Sequence, residues 1–206
     1  MNYEILLAFS MATFVLALSP GPDNIFVLIQ SISNGKKHGL AVVAGLMTGC
    51  LVHTTLLAFG VSALIKNNPA IFNFIKIFGA AYLVYLAIMV YRGGDVISIN
   101  GETKNVKSYL RLYRQGFIMN VLNPKVTIFF LAFFPGFLFS DSLSTIIQFY
   151  TLGFLFIMVS SIVFGGIAIL SGKISTFLSA NKRTGFVLKW GQIIVFIGIA
   201  IYLLIG

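Results

Sequence analysis

From residue 144 to residue 170 the sequence carries no charged side chain, and five other stretches come close to that. The apolar runs fall at roughly 3–32, 40–65, 70–91, 115–139, 144–170 and 185–205. About 20 helical residues cross the hydrocarbon core of a bilayer. Lipid offers the backbone no hydrogen-bond partners, so each run must satisfy its own peptide groups. This predicts an all-α integral membrane protein with six transmembrane helices. The composition agrees: 58% of the residues are hydrophobic and 9% charged, against roughly 25% charged in ordinary soluble domains.

The net charge of +9 does not point to nucleic acid, because the basic residues sit mostly between the apolar runs. Lys36 and Lys37 lie in the first connection. Arg92, Lys104, Lys107, Arg111 and Arg114 lie in the third. Lys173, Lys182 and Arg183 lie in the fifth. The second connection, KNNP, has one Lys, and the fourth has only Asp141. The positive-inside rule puts the first, third and fifth connections in the cytoplasm and both termini outside. Glu4 and the lack of Lys or Arg before the first run argue against a secretory signal peptide. Cys50 is the single cysteine, which excludes an internal disulfide and a Cys-rich metal site.

The first run is too long for one straight crossing and holds LSPGPDNIF, Leu18 to Phe26. Pro20 and Pro22 cannot donate to the carbonyls of Leu16 and Leu18, and Gly21 loosens the backbone between them. An opened backbone at membrane depth is tolerated only against protein or a water-filled cavity, so the break should face inward. Asp23, with Asn24 beside it, then falls in the first turn of a half-helix, where exposed N–H groups and the helix dipole favour negative charge. An ionised Asp at the centre of a membrane helix costs about 2.5–3.5 kcal/mol, and Asp23 is the one acidic residue well inside the apolar runs. It either caps the half-helix or belongs to a substrate or ion site.

MNVLNPKVTIFF, Met119 to Phe130, is the counterpart. Pro124 cannot bond the carbonyl of Asn120. Asn120 and Asn123 are spaced to share a helix face. Lys125 falls roughly 15 Å beyond Arg114 at 1.5 Å per residue, near the midplane. The two proline motifs open the first runs of two three-helix halves, about 1–91 and about 115–206, joined by the connection at about 92–114. An odd number of crossings per half makes the halves inverted repeats, and broken helices at the repeat interface are the architecture of many secondary transporters. Asp23 and Lys125 are then expected to approach one another, as a structural ion pair or as a working pair.

Several other features carry less weight. His53 either relays protons or packs. Gln30, Thr54 and Thr55 line a cavity or bond between helices. GLMTG, Gly45 to Gly49, suits close helix packing and permits a homodimer. SYLRLYR, Ser108 to Arg114, reads as an interfacial stretch, and Pro135 as a kink in the fourth helix. No GxxxxGK[ST], HExxH or GxSxG pattern occurs, so neither an ATP-driven pump nor an enzyme is indicated.

At these motifs the sequence resembles the LysE/RhtB family of amino-acid exporters. The matching stretches are SPGPDNIFV with NGKKHGLAVVAGLMTG, and YRQGFIMNVLNPKVTIFFLAFFPGF. The resemblance covers essentially the whole chain, read as one transporter domain over 1–206. It implies a carrier of the bacterial cytoplasmic membrane that exports amino acids or close relatives, usually driven by an ion gradient. Asp23 matches the family's acidic position after PGP, and Asn123, Pro124 and Lys125 match its second motif. The family's fold is also similar to that of membrane thiol oxidoreductases, whose activity needs a pair of cysteines.

The expected function is therefore proton-coupled export of an amino acid, with no cofactor, no metal and no nucleic-acid partner. The expected binding residues are Gly21, Asp23, Asn24, His53, Asn120, Asn123 and Lys125, with the helix breaks at Pro20, Pro22 and Pro124. The alternative is a channel or ion pore with buried charges.

Overall fold

The computed structural model of the protein describes residues 2–19, 21–61, 69–92, 108–180 and 184–205. Pro20, Lys66 with its two asparagines, residues 93–107 with Lys104 and Lys107, and the Lys182, Arg183 pair lie outside the described residues. Among the described residues every regular element is helical.

The first run is two helices, α1 (Tyr3–Leu18) and α2 (Pro22–Asn34), whose axes differ by 60°. Pro22 occupies the first turn of α2, where its missing N–H costs nothing and its fixed φ suits the helix. The first connection, expected to hold Lys36 and Lys37, is a single residue. Gly35 adopts φ +91°, and α3 (Lys36–Leu56) starts immediately after it. Only glycine takes that conformation without strain, so the chain turns in a single step and Lys36 and Lys37 become the first turn of α3. That helix runs on into a π-helical turn, Leu57–Val61.

The second half begins earlier than the charge pattern suggested. Ser108 caps α5 (Tyr109–Val121), so SYLRLYR is the helical start of α5, with Tyr109, Leu110, Arg111 and Arg114 exposed and Leu112 turned inward. Leu112 is fully buried there, against Val42 and Leu46 of α3. After α4 (Pro69–Arg92), the α5 helix is followed across a 52° bend by α6 (Pro124–Phe133). Pro135 does not kink a continuing helix. It lies in a 3₁₀ turn, Phe134–Phe137, that ends α6. Then follow α7 (Thr145–Ile169), α8 (Ser171–Ala180) within the fifth connection, and α9 (Thr184–Ile205).

Three helices are long and apolar enough to cross a membrane: Lys36–Gly60, Thr145–Ile169 and Phe186–Ile205. Counting each bent pair as one span makes five.

Packing follows small residues and phenylalanines. A side chain at Gly45 would fall on the carbonyl oxygen of Tyr113, and one at Gly116 on the carbonyl of Val42. The backbones of α3 and α5 therefore touch, as the small-residue spacing of GLMTG predicts. In α6 the i, i+4 spacing stacks Phe129 on Phe133 and Phe130 on Phe134, with centroids 4.4 and 4.2 Å apart. Phe9 of α1 and Phe156 of α7 close onto the same cluster.

The connections segregate by end. The backbone N–H of Asn2 donates to the carbonyl of Phe139 at 2.9 Å. Gln148 then ties the fourth connection: its Oε1 accepts from the N–H groups of Phe139 and Ser140, and its Nε2 donates to the carbonyls of Ser140 and Leu143. At the other end, the His38 ring lies 4.6 Å from that of Tyr109, and Gly39 packs on Ala168. The N-terminus and the acidic connection share one end of the molecule, and the described flanks of the basic connections share the other.

Candidate functional site

Both broken helices open onto one small cavity of about 50 Å³. The first turn of α2 borders it with Gly21, Pro22, Asp23 and Asn24. The start of α6 contributes Asn123, Lys125 and Val126, and α5 contributes Asn120. The remaining walls are Leu16 and Ala17 of α1, Leu46, Met47 and Cys50 of α3, and Phe156, Ser160 and Phe164 of α7. Of the expected binding residues all but His53 line this cavity, and of the described helix-break prolines Pro22 does and Pro124 does not.

The two helix starts are built alike but finished differently. Each has proline in its first turn and a charged residue next. At α6 the N-cap is Asn123, whose Oδ1 accepts from the Lys125 N–H at 3.0 Å. A backbone N–H only donates, so the amide must present its oxygen there and its Nδ2 elsewhere. That Nδ2 donates to Asp23 Oδ2 at 3.1 Å. At α2 the N-cap is Gly21, and no side chain caps the turn. Its φ of −154° is ordinary extended backbone, so the glycine is not there for conformational freedom. A Cβ at this position would lie 3.6 Å from the Lys125 ammonium. Glycine thus leaves both the helix end and the cation open to the cavity.

Asp23 and Lys125 meet in this cavity without forming a direct ion pair. The carboxylate is bonded to Asn123, while the Lys125 Nζ sits 4.8 Å over the ring of Phe196 in α9, a cation–π distance. Two helix N-termini, each equivalent to roughly half a positive charge, and one ammonium face a single carboxylate. The balance leaves about one positive charge to receive an anionic group.

Two carbonyls at the breaks are met by side chains. Asn24 Nδ2 donates to the Ala17 carbonyl at 2.7 Å. His53 lies 3.1 Å from the Asn120 carbonyl through Nε2. It is buried against Phe130 and does not line the cavity. Gln30 accepts from Asn34 within α2, and Thr54 and Thr55 bond back to carbonyls of their own helix, with Thr55 also meeting Tyr150. None of these three lines the cavity.

Sequence reasoning missed Ser160, Cys50 and Phe196. A single cysteine excludes a disulfide and a Cys-rich metal site but says nothing of packing; the Cys50 thiol lies in the wall, 3.7 Å from Asn120 Oδ1. The Ser160, Ser161 pair in the apolar half of an uncharged span was the available signal for α7. Among the described residues no cluster of His, Cys, Asp and Glu could hold a metal ion.

The family profile described as LysE type translocator matches residues 14–206. A homoserine/homoserine lactone efflux protein of Salmonella typhimurium is 30% identical over 199 residues, covering 96% of each chain. A protein of Salmonella typhi with the same description matches to the same extent. An uncharacterized membrane protein of Vibrio cholerae is 30% identical over 185 residues, 89% of each chain. No solved structure matches.

Proposed function

The chain belongs to the LysE type translocator family, and on that footing we propose that it exports small amino acids or their close derivatives across a bacterial cytoplasmic membrane in exchange for protons. It is a multi-pass membrane transporter and not an enzyme. In our reading α4, 24 residues long, is the sixth crossing. The chain is then one transporter domain of two inverted repeats, about 1–91 and about 115–206. The basic end faces the cytoplasm and the termini face outward.

One observation carries this reading: Asp23 and Lys125, of opposite charge, stand at the starts of two half-helices around the same small cavity. That is the complement of a zwitterion. The substrate carboxylate takes the uncapped first turn of α2 and the Lys125 ammonium, drawing Lys125 off the Phe196 ring. The substrate ammonium takes Asp23. Protonation of Asp23 releases the ammonium, which couples release to the proton gradient. Small-molecule sites are usually about 300–1,000 Å³, so at about 50 Å³ the cavity is too small to hold a whole amino acid as it stands. Helices must part to load it, as alternating access requires and an open pore does not.

The test uses the full chain in proteoliposomes loaded with single amino acids, beginning with homoserine because relatives carry that description. Efflux should accelerate under a pH gradient. Loading the far side with the same solute should speed labelled exchange. Flux that is insensitive to far-side loading would favour a pore, and no amino-acid flux under any condition would end the reading.

A further inference from the structure

Hydroxyls inside these helices generally bond back to the carbonyl four residues earlier. Ser10, Ser31, Thr48, Thr54 and, in α7 itself, Thr151 all do so at 2.7–2.9 Å. Ser160 does not. Its Oγ is buried without a hydrogen-bond partner, the residue being 1% exposed. Thr13 and Ser19 also bury unpartnered hydroxyls among the described residues, but neither borders the cavity. Leaving a buried hydroxyl unpaired is costly, and such groups call for a specific explanation.

The surroundings supply one. Phe156, Ser160 and Phe164 are spaced i, i+4, i+8 and so share one face of α7. All three line the cavity whose other walls include the α2 start and Lys125. This face offers one hydroxyl set between two aromatic rings and no charge. Asp23 is the single acidic residue of the lining. Once it holds a substrate's α-ammonium, no carboxylate remains for a second cation.

We infer that Ser160 is the side-chain subsite of the transporter, reading a hydroxyl on a small neutral amino acid whose carboxylate and ammonium lie at α2, Lys125 and Asp23. This rests on the export reading above. A serine hydroxyl both donates and accepts, so it pairs with a substrate hydroxyl in either sense. The flanking rings cover the short methylene stem. A substrate of the same shape without the oxygen enters but leaves Ser160 unpaired, and a basic side chain meets no counter-charge.

The experiment compares homoserine with 2-aminobutyrate, which replaces the side-chain hydroxyl by hydrogen, in proteoliposome counterflow. It uses wild type, Ser160→Ala and Ser160→Thr at equal reconstituted amounts. Wild type should prefer homoserine by roughly tenfold, the worth of one hydrogen bond. Ser160→Ala should bring homoserine flux down to that of 2-aminobutyrate, and Ser160→Thr should keep the preference. A wild type that treats the two alike, a Ser160→Ala protein that slows both by the same factor, or one that keeps the preference would each overturn the subsite while leaving amino-acid export standing. A wild type that moves no amino acid at all sinks the export reading and the subsite together.

Discussion

His53 Nε2 lies 3.1 Å from the backbone carbonyl of Asn120, the carbonyl that Pro124 deprives of its helical donor. A carbonyl can only accept, so the imidazole carries its proton on Nε2 and donates. The Asn123 N–H also reaches this oxygen, at 3.0 Å. A helix break at membrane depth is thereby closed by a side chain from another helix.

The first prediction follows from that bond. His53→Gln, which retains a donor, should export at a rate close to wild type. His53→Phe should lower thermal stability in detergent by about 1 kcal/mol, the net worth of one hydrogen bond, with flux reduced only as abundance falls. Measuring pH-gradient-driven efflux separates this from a proton-relay role. If His53→Gln exchanged substrate normally but lost gradient coupling, the imidazole would be carrying protons.

Asp23 yields a second prediction. Asp23→Asn keeps the size of the side chain and a partner for Asn123, but cannot exchange a proton. Homoserine counterflow should fall roughly tenfold to a hundredfold, as expected for a lost charge-assisted hydrogen bond. The residual flux should no longer respond to a pH gradient. Full gradient-driven export by this variant would remove Asp23 from the coupling mechanism.

The breaks were legible in the sequence because proline acts locally. A missing N–H at Pro22 or Pro124 is a fact about one residue, and a charge beside it in an apolar run has few tolerable environments. The small residues of GLMTG were legible for the same reason. What the sequence did not reveal depends on where distant segments meet. The one-residue turn at Gly35 looked like a longer loop because Lys36 and Lys37 are polar, yet polar residues are at home in a helix's first turn at a membrane surface. Asp23 and Lys125 were expected to approach, but the intervening Asn123 amide and the Phe196 ring come from register and packing. Ser160 was hidden by its commonness. Most hydroxyls in membrane helices bond to their own backbone, and only the tertiary structure shows that this one does not.

The α3–α5 contact supports a third prediction. Gly45→Ala places a methyl group on the backbone carbonyl of Tyr113, which cannot swing aside as a side-chain end does. Overpacking of this kind typically costs about 1–3 kcal/mol. Thermal melting of the purified protein should show that loss. Gly165→Ala in α7, where nothing lies within 4 Å of the added carbon, should be neutral or slightly stabilising, because alanine is the better helix former. Equal melting temperatures for the two variants would mean that α3 and α5 do not touch as described.

Cys50 makes the fourth prediction possible, because it is the single cysteine and its thiol is 1% exposed in the cavity wall. A membrane-permeant maleimide should label it slowly at rest, since so small a cavity admits no reagent of that size. Under exchange conditions the helices part and labelling should accelerate. Saturating substrate on both sides, by occupying the cavity, should hold labelling below the rate seen with a poorly bound analogue such as 2-aminobutyrate. The discriminating comparison is with Ser160→Ala, in which protection by homoserine should weaken while the resting rate stays low. Rapid labelling at rest, indifferent to substrate, would mean that the cavity stands open to one side, and the pore reading would then take precedence over alternating access.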